Sequence, residues 1–315
     1  MPFSIERYTD ERRHDLRALL TDPSLLLEFE WLVQRGELDD PTRHPFGDRS
    51  GAWIARADGR PAGFCVLLVM PSKRGTWAMA RIGVASAFRR RRLGSALLEA
   101  VERRLASLPA ERRPGELRFS AWLPSDSAPG FAAHHGFKHS RYMWSMERLS
   151  GELGNPRWPP AIEVRSFDGS EQGLQDWNDC SNRAFAASPL TVLSTVEDCR
   201  ALTRASHFRA DGLLLAYRGE TCVGFCRNAL HPDHAEVDVL GVAPEARGIG
   251  LGRSLLRWGV AWLERQNVAR VRLMVDGEND SAIRLYRSEG FETIRTRELW
   301  ARPIAVEAEP FSDAP

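Results

Sequence analysis

Lysine is scarce in this 315-residue chain: only two of its 43 basic residues are lysines, and the other 41 are arginines. Net charge is also nearly absent, because 42 acidic residues leave a formal charge of +1, which argues against a dedicated nucleic-acid binder. The longest apolar run, Phe64 to Met70, is too short to cross a bilayer, and the N-terminus has no apolar signal core. The five cysteines are odd in number and scattered, which excludes a disulfide scaffold and predicts a reducing, cytoplasmic setting.

What the sequence does contain is an internal duplication. Three patterns recur at offsets that drift from 161 to 154 residues, as loop-length differences between duplicated domains would produce. They are the hairpin pattern Trp53 to Cys65, repeated from Leu214 to Cys226; Ile82-Gly-Val-Ala85, repeated as Leu240-Gly-Val-Ala243; and Gly136-Phe137, repeated as Gly290-Phe291. The chain is therefore interpreted as two copies of one domain.

A proline-rich stretch from Gly154 to Pro160 lies near the midpoint and predicts a semi-rigid linker. The predicted organisation is a first domain over 1–150, a linker over 151–161, a second domain over 162–303 and an acidic tail over 304–315. Division after residue 155 gives a net charge of +5 for the first part and −4 for the remainder. The near-zero total charge thus hides two halves of opposite sign.

Each copy shows the same order of predicted elements: a strand, a helical region, a hairpin, a third strand, a loop with an amphipathic helix, a strand, a short helix and a last strand. Helices interleaved with a mixed, mostly antiparallel sheet predict the α/β (α+β) class for both copies. The main predicted bounds are strands at Ile5–Tyr8 and Val164–Phe167, third strands at Met79–Val84 and Glu236–Val242, and helices at Leu93–Leu105 and Leu251–Glu264.

The loop after the third strand of the second copy is the most informative stretch. It reads Arg247-Gly248-Ile249-Gly250-Leu251-Gly252-Arg253 and opens a helix. Glycines let the backbone approach a ligand, and free N–H groups at a helix start favour a phosphate, so the stretch predicts a phosphate-binding loop. Arg253 excludes two nucleotide motifs, because it stands where a Walker loop needs lysine and where a Rossmann fingerprint needs its third glycine.

Two motifs together closely resemble the GNAT superfamily of acyl-CoA-dependent N-acetyltransferases. The first is Arg-x-x-Gly-x-Gly at residues 247–252, and the second is Asn279-Asp-Ser-Ala-Ile-Arg-Leu-Tyr286 followed by Gly290-Phe291. The resemblance covers about residues 164–300 and implies that acetyl-CoA binds as co-substrate. It implies a cofactor site made of the pyrophosphate loop, the pantetheine-binding strand backbone and the first residue of the second motif: residues 247–253, Leu240, Val242 and Asn279.

The same resemblance implies the catalytic roles. Glu236 is the general base, often through water, and Asp238, on the same strand face, is the runner-up. Tyr286 is the general acid beside the CoA sulfur, and the N–H of Val242 stabilises the carbonyl oxygen. Acetyl transfer to an amine needs these functions, because an ammonium must lose a proton, the carbonyl oxygen gains charge and the thiolate is helped by a proton. The residues alone leave two other interpretations open. Glu236 and Asp238 are then solvated carboxylates at the edge of a strand, and Tyr286 is an aromatic residue of the core.

No metal site is predicted. Cys222 and Cys226 would lie roughly 13 Å apart on a strand, too far for one ion. His231 and His234 are interpreted as polar loop residues. The Asp-x-Glu-x-Asp pattern at residues 276–280 lacks the glycine and the closing glutamate of a calcium loop.

The first copy keeps only part of the cofactor pattern and none of the catalytic one. Its candidate cofactor residues are Val84, Arg89 and Gly94, which correspond to Val242, Arg247 and Gly252. The proposed base and acid are both replaced by alanine, at Ala78 and Ala132. Because methyl groups cannot transfer protons, the first domain is predicted to be catalytically inactive, with arginines at residues 89–92 that can still bind phosphate.

The predicted function is therefore acetyl transfer to a primary amine of a small molecule by the second domain. The protein is expected to be a monomer with internal pseudo-symmetry or a weak homodimer. No nucleic-acid or membrane partner is expected. The degenerate first lobe, the run His231 to His234 and the stretch Asn182 to Ala187 resemble the mycothiol synthase branch, which acetylates the cysteinyl amine of a pseudodisaccharide. Two alternatives stay open: acetylation of an antibiotic or a protein N-terminus, and a CoA-sensing or interaction module without turnover.

Overall fold

The computed structural model describes residues 3–34, 48–72, 75–151, 153–190, 192–205, 207–231 and 234–304. The predicted acidic tail lies outside the described residues except for Ile304, and so do residues 232 and 233 of the predicted histidine run. None of the helices in these ranges is both long and apolar enough to cross a membrane.

The two halves of the chain contain the same succession of six strands and four helices. In the first half these are β1 (Phe3–Arg7), α1 (Arg13–Leu19), α2 (Pro23–Gln34), β2 (Asp48–Ala57), β3 (Arg60–Met70), β4 (Trp77–Val84), α3 (Leu93–Ala106), β5 (Glu116–Leu123), α4 (Ala128–His134) and β6 (Lys138–Leu149). In the second half they are β7 (Glu163–Ser166), α5 (Glu171–Ala184), α6 (Val196–Thr203), β8 (Phe208–Arg218), β9 (Thr221–Leu230), β10 (Ala235–Val242), α7 (Leu251–Glu264), β11 (Arg270–Asp276), α8 (Asp280–Ser288) and β12 (Glu292–Pro303). The predicted α/β class and internal duplication are confirmed.

All twelve strands join in one sheet, in the order β1-β2-β3-β4-β5-β12-β6-β11-β10-β9-β8-β7. Neighbouring strands are antiparallel except for β4–β5 and β10–β11, which are parallel. Helices cover both faces: α3 and α7 pack on one face of their respective halves, and α1–α2 and α5–α6 on the other. The result is a three-layer arrangement with separate cores above and below each half-sheet.

The helix α7 shows how sequence pattern fixes this packing. Leu251, Leu255 and Leu256 recur at helical spacing and are buried, and Val260 and Leu263 continue the same stripe. Apolar side chains at this spacing form one face of a helix, which gains stability by covering the sheet. The predicted bounds of α7 agree with the observed ones.

The last strands of the two halves are exchanged. β12, the final strand of the second half, pairs with β5 of the first half from Thr296–Leu123 to Pro303–Glu116. β6, the final strand of the first half, pairs with β11 of the second half from Arg270–Leu149 onward. Each half-sheet is therefore completed by the last strand of the other half.

The proline-rich linker lies against the second half. The Ser254 hydroxyl on α7 donates a hydrogen bond of 2.5 Å to the carbonyl of Arg157. Leu153 and Trp158 pack on the core that contains α7. The linker is thus packed against the protein over part of its length.

A buried cation ties the exchanged strand β12 to the first half. Arg297 is only 5% exposed, and its guanidinium lies 3.1 Å from the Glu28 carboxylate on α2 and 3.2 Å from the Ser120 hydroxyl. The same guanidinium lies 4.3 Å from the centre of the Trp122 ring. Burial lowers the pKa of Arg297, and the nearby Glu28 carboxylate acts in the opposite direction. The charged guanidinium is therefore stabilised by Glu28.

We expect Glu28→Ala to lower the free energy of unfolding by about 3 kcal/mol, because it leaves a buried charge without its partner. The matched control is Glu30→Ala on the same helix, whose pair with Arg295 spans 3.4 Å and is partly exposed. The control should cost about 1 kcal/mol or less. Denaturant unfolding followed by circular dichroism checks both, and equal losses would contradict the role assigned to Glu28.

Candidate active site

The candidate site lies where β10 separates from β11. The parallel ladder between these strands ends at the pair Glu236–Arg272. The antiparallel ladder between β10 and β9 continues to the pair Val242–Gly224. Within the described ranges, β10 has no paired strand on its β11 side beyond Glu236. The backbone around Leu240 and Val242, where the pantetheine arm was predicted, therefore has an open edge.

The glycine loop between β10 and α7 is open in front. Gly248 and Gly250 have φ angles of +78° and +89°, which only glycine adopts without steric cost. A Cβ atom placed on either glycine would meet no atom within 4 Å. The N–H groups of the first turn of α7, including that of Gly252, have no intrahelical acceptor. Open space in front of a helix N-terminus fits a phosphate.

The two arginines of the loop have structural partners. Arg247 donates from Nε to the Val242 carbonyl at 3.1 Å and from a terminal nitrogen to the Ala184 carbonyl at 2.6 Å, which fixes the loop to β10 and α5. Arg253 forms an ion pair with the buried carboxylate of Glu289. Both guanidinium groups of this loop are thus bound to other parts of the protein. The groups that the loop mainly offers to an anion are its backbone N–H groups.

Glu236, the predicted base, stands beside two histidines. Its Oε1 lies 2.9 Å from His231 Nε2, and its Oε2 lies 3.8 Å from His234 Nε2. The two histidine side chains are 1% and 7% exposed, and that of Glu236 is 21% exposed. The carboxylate is therefore held at the edge of a buried polar cluster while it remains accessible to solvent.

The same three residues bring their ligand-type atoms within 4.8 Å of one another. The rings of His231 and His234 are stacked, with an angle of 22° between their planes and 4.6 Å between their centres. The nitrogen lone pairs of stacked rings lie in nearly parallel planes and do not converge on one ion. The arrangement thus favours hydrogen bonding to the carboxylate over chelation, and the interpretation of these histidines as surface residues is wrong.

Asp238, the predicted runner-up base, is occupied by a cation. Its carboxylate lies 2.6 Å from the Arg227 guanidinium, and both side chains are at least 90% buried. Asp238 is also the extra residue of a bulge in β10, between Val237 and Val239. A buried carboxylate that is engaged by a guanidinium is less accessible to an acceptor amine than the partly exposed Glu236, so the structure favours Glu236.

Tyr286, the predicted acid, lies on α8 in the core of the second half, with its ring centre 6.1 Å from that of Phe291. Burial raises the pKa of Tyr286 to about 12. The phenol therefore stays protonated at neutral pH, as a general acid must. Asn279, which was predicted to contact the cofactor, caps α8. Its side chain accepts a hydrogen bond from the Ala282 N–H.

The first half repeats this geometry without the side chains that were predicted to be catalytic. The β4–β5 ladder ends at Ala80–Phe119, which leaves a gap like that between β10 and β11. Arg89 donates from Nε to the Val84 carbonyl at 3.2 Å, the same contact that Arg247 makes to Val242. The backbone of the loop is thus maintained by the same interaction in both halves.

Arginines replace the glycines in this first-half loop. Arg90 and Arg92 have φ angles of +63° and +64°, close to those of the corresponding glycines. A cavity of about 430 Å³ lies in front of the loop and is lined by Arg89, Arg90, Arg92 and Gly94 together with residues of α2, β4 and β5. The first half therefore retains a basic cleft at the position of the predicted cofactor site.

Comparison with known proteins agrees with this geometry. The model of the acetyltransferase (GNAT) family matches residues 13–137 and 173–291, one match in each half. The chain belongs to the GNAT family. It is an N-acetyltransferase with two GNAT-fold domains, as its motifs predicted.

Relatives within the GNAT family include a mycothiol acetyltransferase of Thermomonospora curvata, 34% identical over 260 residues, which are 81% of this chain and 83% of the relative. A solved GNAT structure from Sphaerobacter thermophilus superimposes with a TM-score of 0.70 at 23% identity, covering 98% of this chain and 97% of that one. A tandem GNAT protein from the clavulanic acid biosynthesis pathway gives a TM-score of 0.69 at 18% identity, covering 98% and 100%. The two structures show that the tandem fold is shared.

Sequence reasoning missed two features of this GNAT site. One is the hydrogen bond of His231 to Glu236, although a histidine five residues before the predicted base was a usable signal. The other is Glu289, which is buried and binds Arg253 and Arg257. A glutamate next to the Gly290-Phe291 motif gave no sign of burial, because its partners lie more than 30 residues away on α7.

We expect Arg92→Gly to raise the free energy of unfolding by about 1 kcal/mol, because glycine removes the steric cost of a left-handed backbone. Arg91→Gly is the control, since Arg91 has no positive φ and pairs with Asp58 at 2.7 Å. The control should be neutral or destabilising. Thermal unfolding checks both variants, and a less stable Arg92→Gly protein would show that the guanidinium, not the backbone, determines stability here.

Proposed function

We propose that the second half transfers an acetyl group from acetyl-CoA directly to a primary amine of a small molecule, and that the first half holds the cofactor without turnover. The observation that carries this proposal is the position of Glu236, at the last pair of the β10–β11 ladder and beside the open edge of β10. The second half of the molecule thus contains the proposed proton acceptor Glu236, the proposed thioester-binding strand β10 and the protonated phenol of Tyr286.

The cofactor fits the second half in two places. The open loop at Gly248 and Gly250 and the start of α7 offer backbone N–H groups for the pyrophosphate. The open edge of β10 offers backbone donors and acceptors around Leu240 and Val242, in the manner of an added strand, for the amide groups of the pantetheine arm.

The reaction then follows from three protein groups. Glu236 removes a proton from the acceptor ammonium, and the neutral amine attacks the thioester carbonyl. The N–H of Val242 donates to the carbonyl oxygen while that oxygen carries negative charge. The carbon–sulfur bond breaks, and Tyr286 gives its proton to the departing thiolate. The products are an amide and free CoA.

We infer that the acceptor is the cysteinyl amine of a pseudodisaccharide, as in the mycothiol synthase branch. This is supported by the 34% identity to a mycothiol acetyltransferase over most of both chains and by the sequence stretches at residues 182–187 and 231–234. In the structure, the side chain of Asn182 on α5 forms hydrogen bonds with the backbone of Ser194. The stretch 182–187 therefore lies beside the part of the α5–α6 loop that contains Ser194.

The inactivity of the first half has two supports. Ala78 and Ala132 stand at the positions of the base and the acid. In addition, Glu28 accepts a hydrogen bond of 2.9 Å from the Trp122 N–H, three residues beyond the last β4–β5 pair. Glu28 and its partner Arg297 thus fill part of the gap that an acceptor amine would need.

We also infer that one chain is sufficient for activity, as a monomer with internal pseudo-symmetry. The support is the exchange of β6 and β12, which completes both half-sheets within a single chain.

Release of free thiol from acetyl-CoA across a panel of amines tests the enzyme directly. We expect the highest kcat/KM with a cysteinyl glycoside, and Glu236→Gln and Tyr286→Phe should each lower kcat about 100-fold or more. Binding of CoA, followed by thermal stabilisation, should be retained in both variants. Tyr142→Phe, a partly exposed tyrosine on β6, is the matched control and should keep full activity.

Wild-type rates in both Glu236→Gln and Tyr286→Phe would contradict the mechanism. Thermal stabilisation by acetyl-CoA without thiol release from any amine would instead support a cofactor-sensing module.

A pair of matched glycine substitutions separates the two halves. Gly94→Asp and Gly252→Asp each place a carboxylate in the first turn of α3 or α7, which suits a helix N-terminus but repels a phosphate. Calorimetric titration should find two CoA sites in the wild type and one in each variant. Only Gly252→Asp should lose turnover. Loss of turnover in Gly94→Asp with cofactor still bound in the second half would contradict an inactive first half.

A further inference from the structure

Three histidines form a continuous stack beside the proposed base. The ring of His231 lies 5.4 Å from that of His207 on one side and 4.6 Å from that of His234 on the other, with interplanar angles of 23° and 22°. His207 is buried, and the side chains of the other two histidines are at least 90% buried. The middle ring therefore has little freedom to rotate.

The turn between β9 and β10 places this ring. The N–H of His231 donates to the His234 carbonyl at 2.9 Å, which closes the connection directly after β9. Glu236 pairs in register with Ala229 on β9, so its side chain and His231 come from opposite sides of the same turn. The bond of 2.9 Å between His231 Nε2 and Glu236 Oε1 follows from this local geometry.

Charged groups on the neighbouring strands are committed elsewhere. Arg227 on β9 pairs with Asp238, and Arg272, opposite Glu236 on β11, pairs with Glu147 at 2.8 Å. Among the described residues of the β9–β10 turn, the ionisable groups that lie near the Glu236 carboxylate are the imidazoles of His231 and His234.

We infer that His231 is a positioning residue for Glu236, an inference that rests on the proposed acetyl transfer. An ionised carboxylate only accepts hydrogen bonds, so His231 donates from Nε2 to Oε1. This bond fixes the rotation of the carboxyl group and assigns Oε2 as the oxygen that takes the proton of the acceptor amine. It also stabilises the ionised form that can act as a base. His231 itself exchanges no proton with substrate.

The test compares His231→Phe with His231→Gln and His234→Phe. Phenylalanine keeps the stacked ring but removes the donor, so His231→Phe should lower kcat roughly tenfold or more while KM for acetyl-CoA stays unchanged. Glutamine retains an N–H donor and should restore part of the rate. His234→Phe, whose partner atom lies 3.8 Å from Oε2, should stay within about threefold of wild type.

A double variant distinguishes the failure of this inference from that of the proposed function. If His231 acts only through Glu236, adding His231→Phe to Glu236→Gln should cause no further loss of kcat. A normal kcat in His231→Phe, with Glu236→Gln inactive, would overturn the positioning role and leave the base intact. A fully active Glu236→Gln protein would overturn the proposed base itself. Circular dichroism and CoA binding must be unchanged in each variant for either conclusion.

Discussion

The separation of two parallel strands is the constraint on which the rest of this structure depends. Because β10 leaves β11 after Glu236, the strand has one satisfied edge against β9 and one open edge. Open strand edges bind extended ligands through backbone groups, and here the edge leads directly into a glycine loop and a helix N-terminus. Glu236, the proposed general base, stands at the point of separation, so one backbone feature positions both this residue and the strand that is proposed to bind the cofactor.

Strand exchange between the two halves explains why they share one shape although their candidate catalytic residues differ. Each half-sheet is completed by the last strand of the other, so loss of either half would expose unpaired strand edges in the remaining one. The loop of the first half keeps its backbone conformation although arginines occupy left-handed positions at Arg90 and Arg92. Such positions cost about 1–2 kcal/mol each, which indicates that the loop shape itself was retained.

Much of the fold was predictable, because periodic patterns are local. The bounds of α7, and those of the third strands to within two residues, followed from apolar spacing. The exchange of β6 and β12 was not predictable, since both strands have the same pattern and pairing partners are set by tertiary contacts. The roles of Glu236 and Tyr286 were implied by the resemblance of the motifs to the GNAT superfamily and stay predictions. The contacts of Asp238 with Arg227 and of Glu236 with His231 could not be predicted, because they depend on side-chain packing between strands.

Amide hydrogen exchange with and without CoA is the measurement that tests the role of the open edge most directly. We predict that exchange at Leu240 and Val242 slows when saturating CoA is added, because unpaired backbone groups of β10 gain partners. Amides in the paired part of the strand, such as that of Val237, should change little. Unchanged exchange at Leu240 and Val242 in a protein that demonstrably binds CoA would show that the cofactor does not bind along this strand.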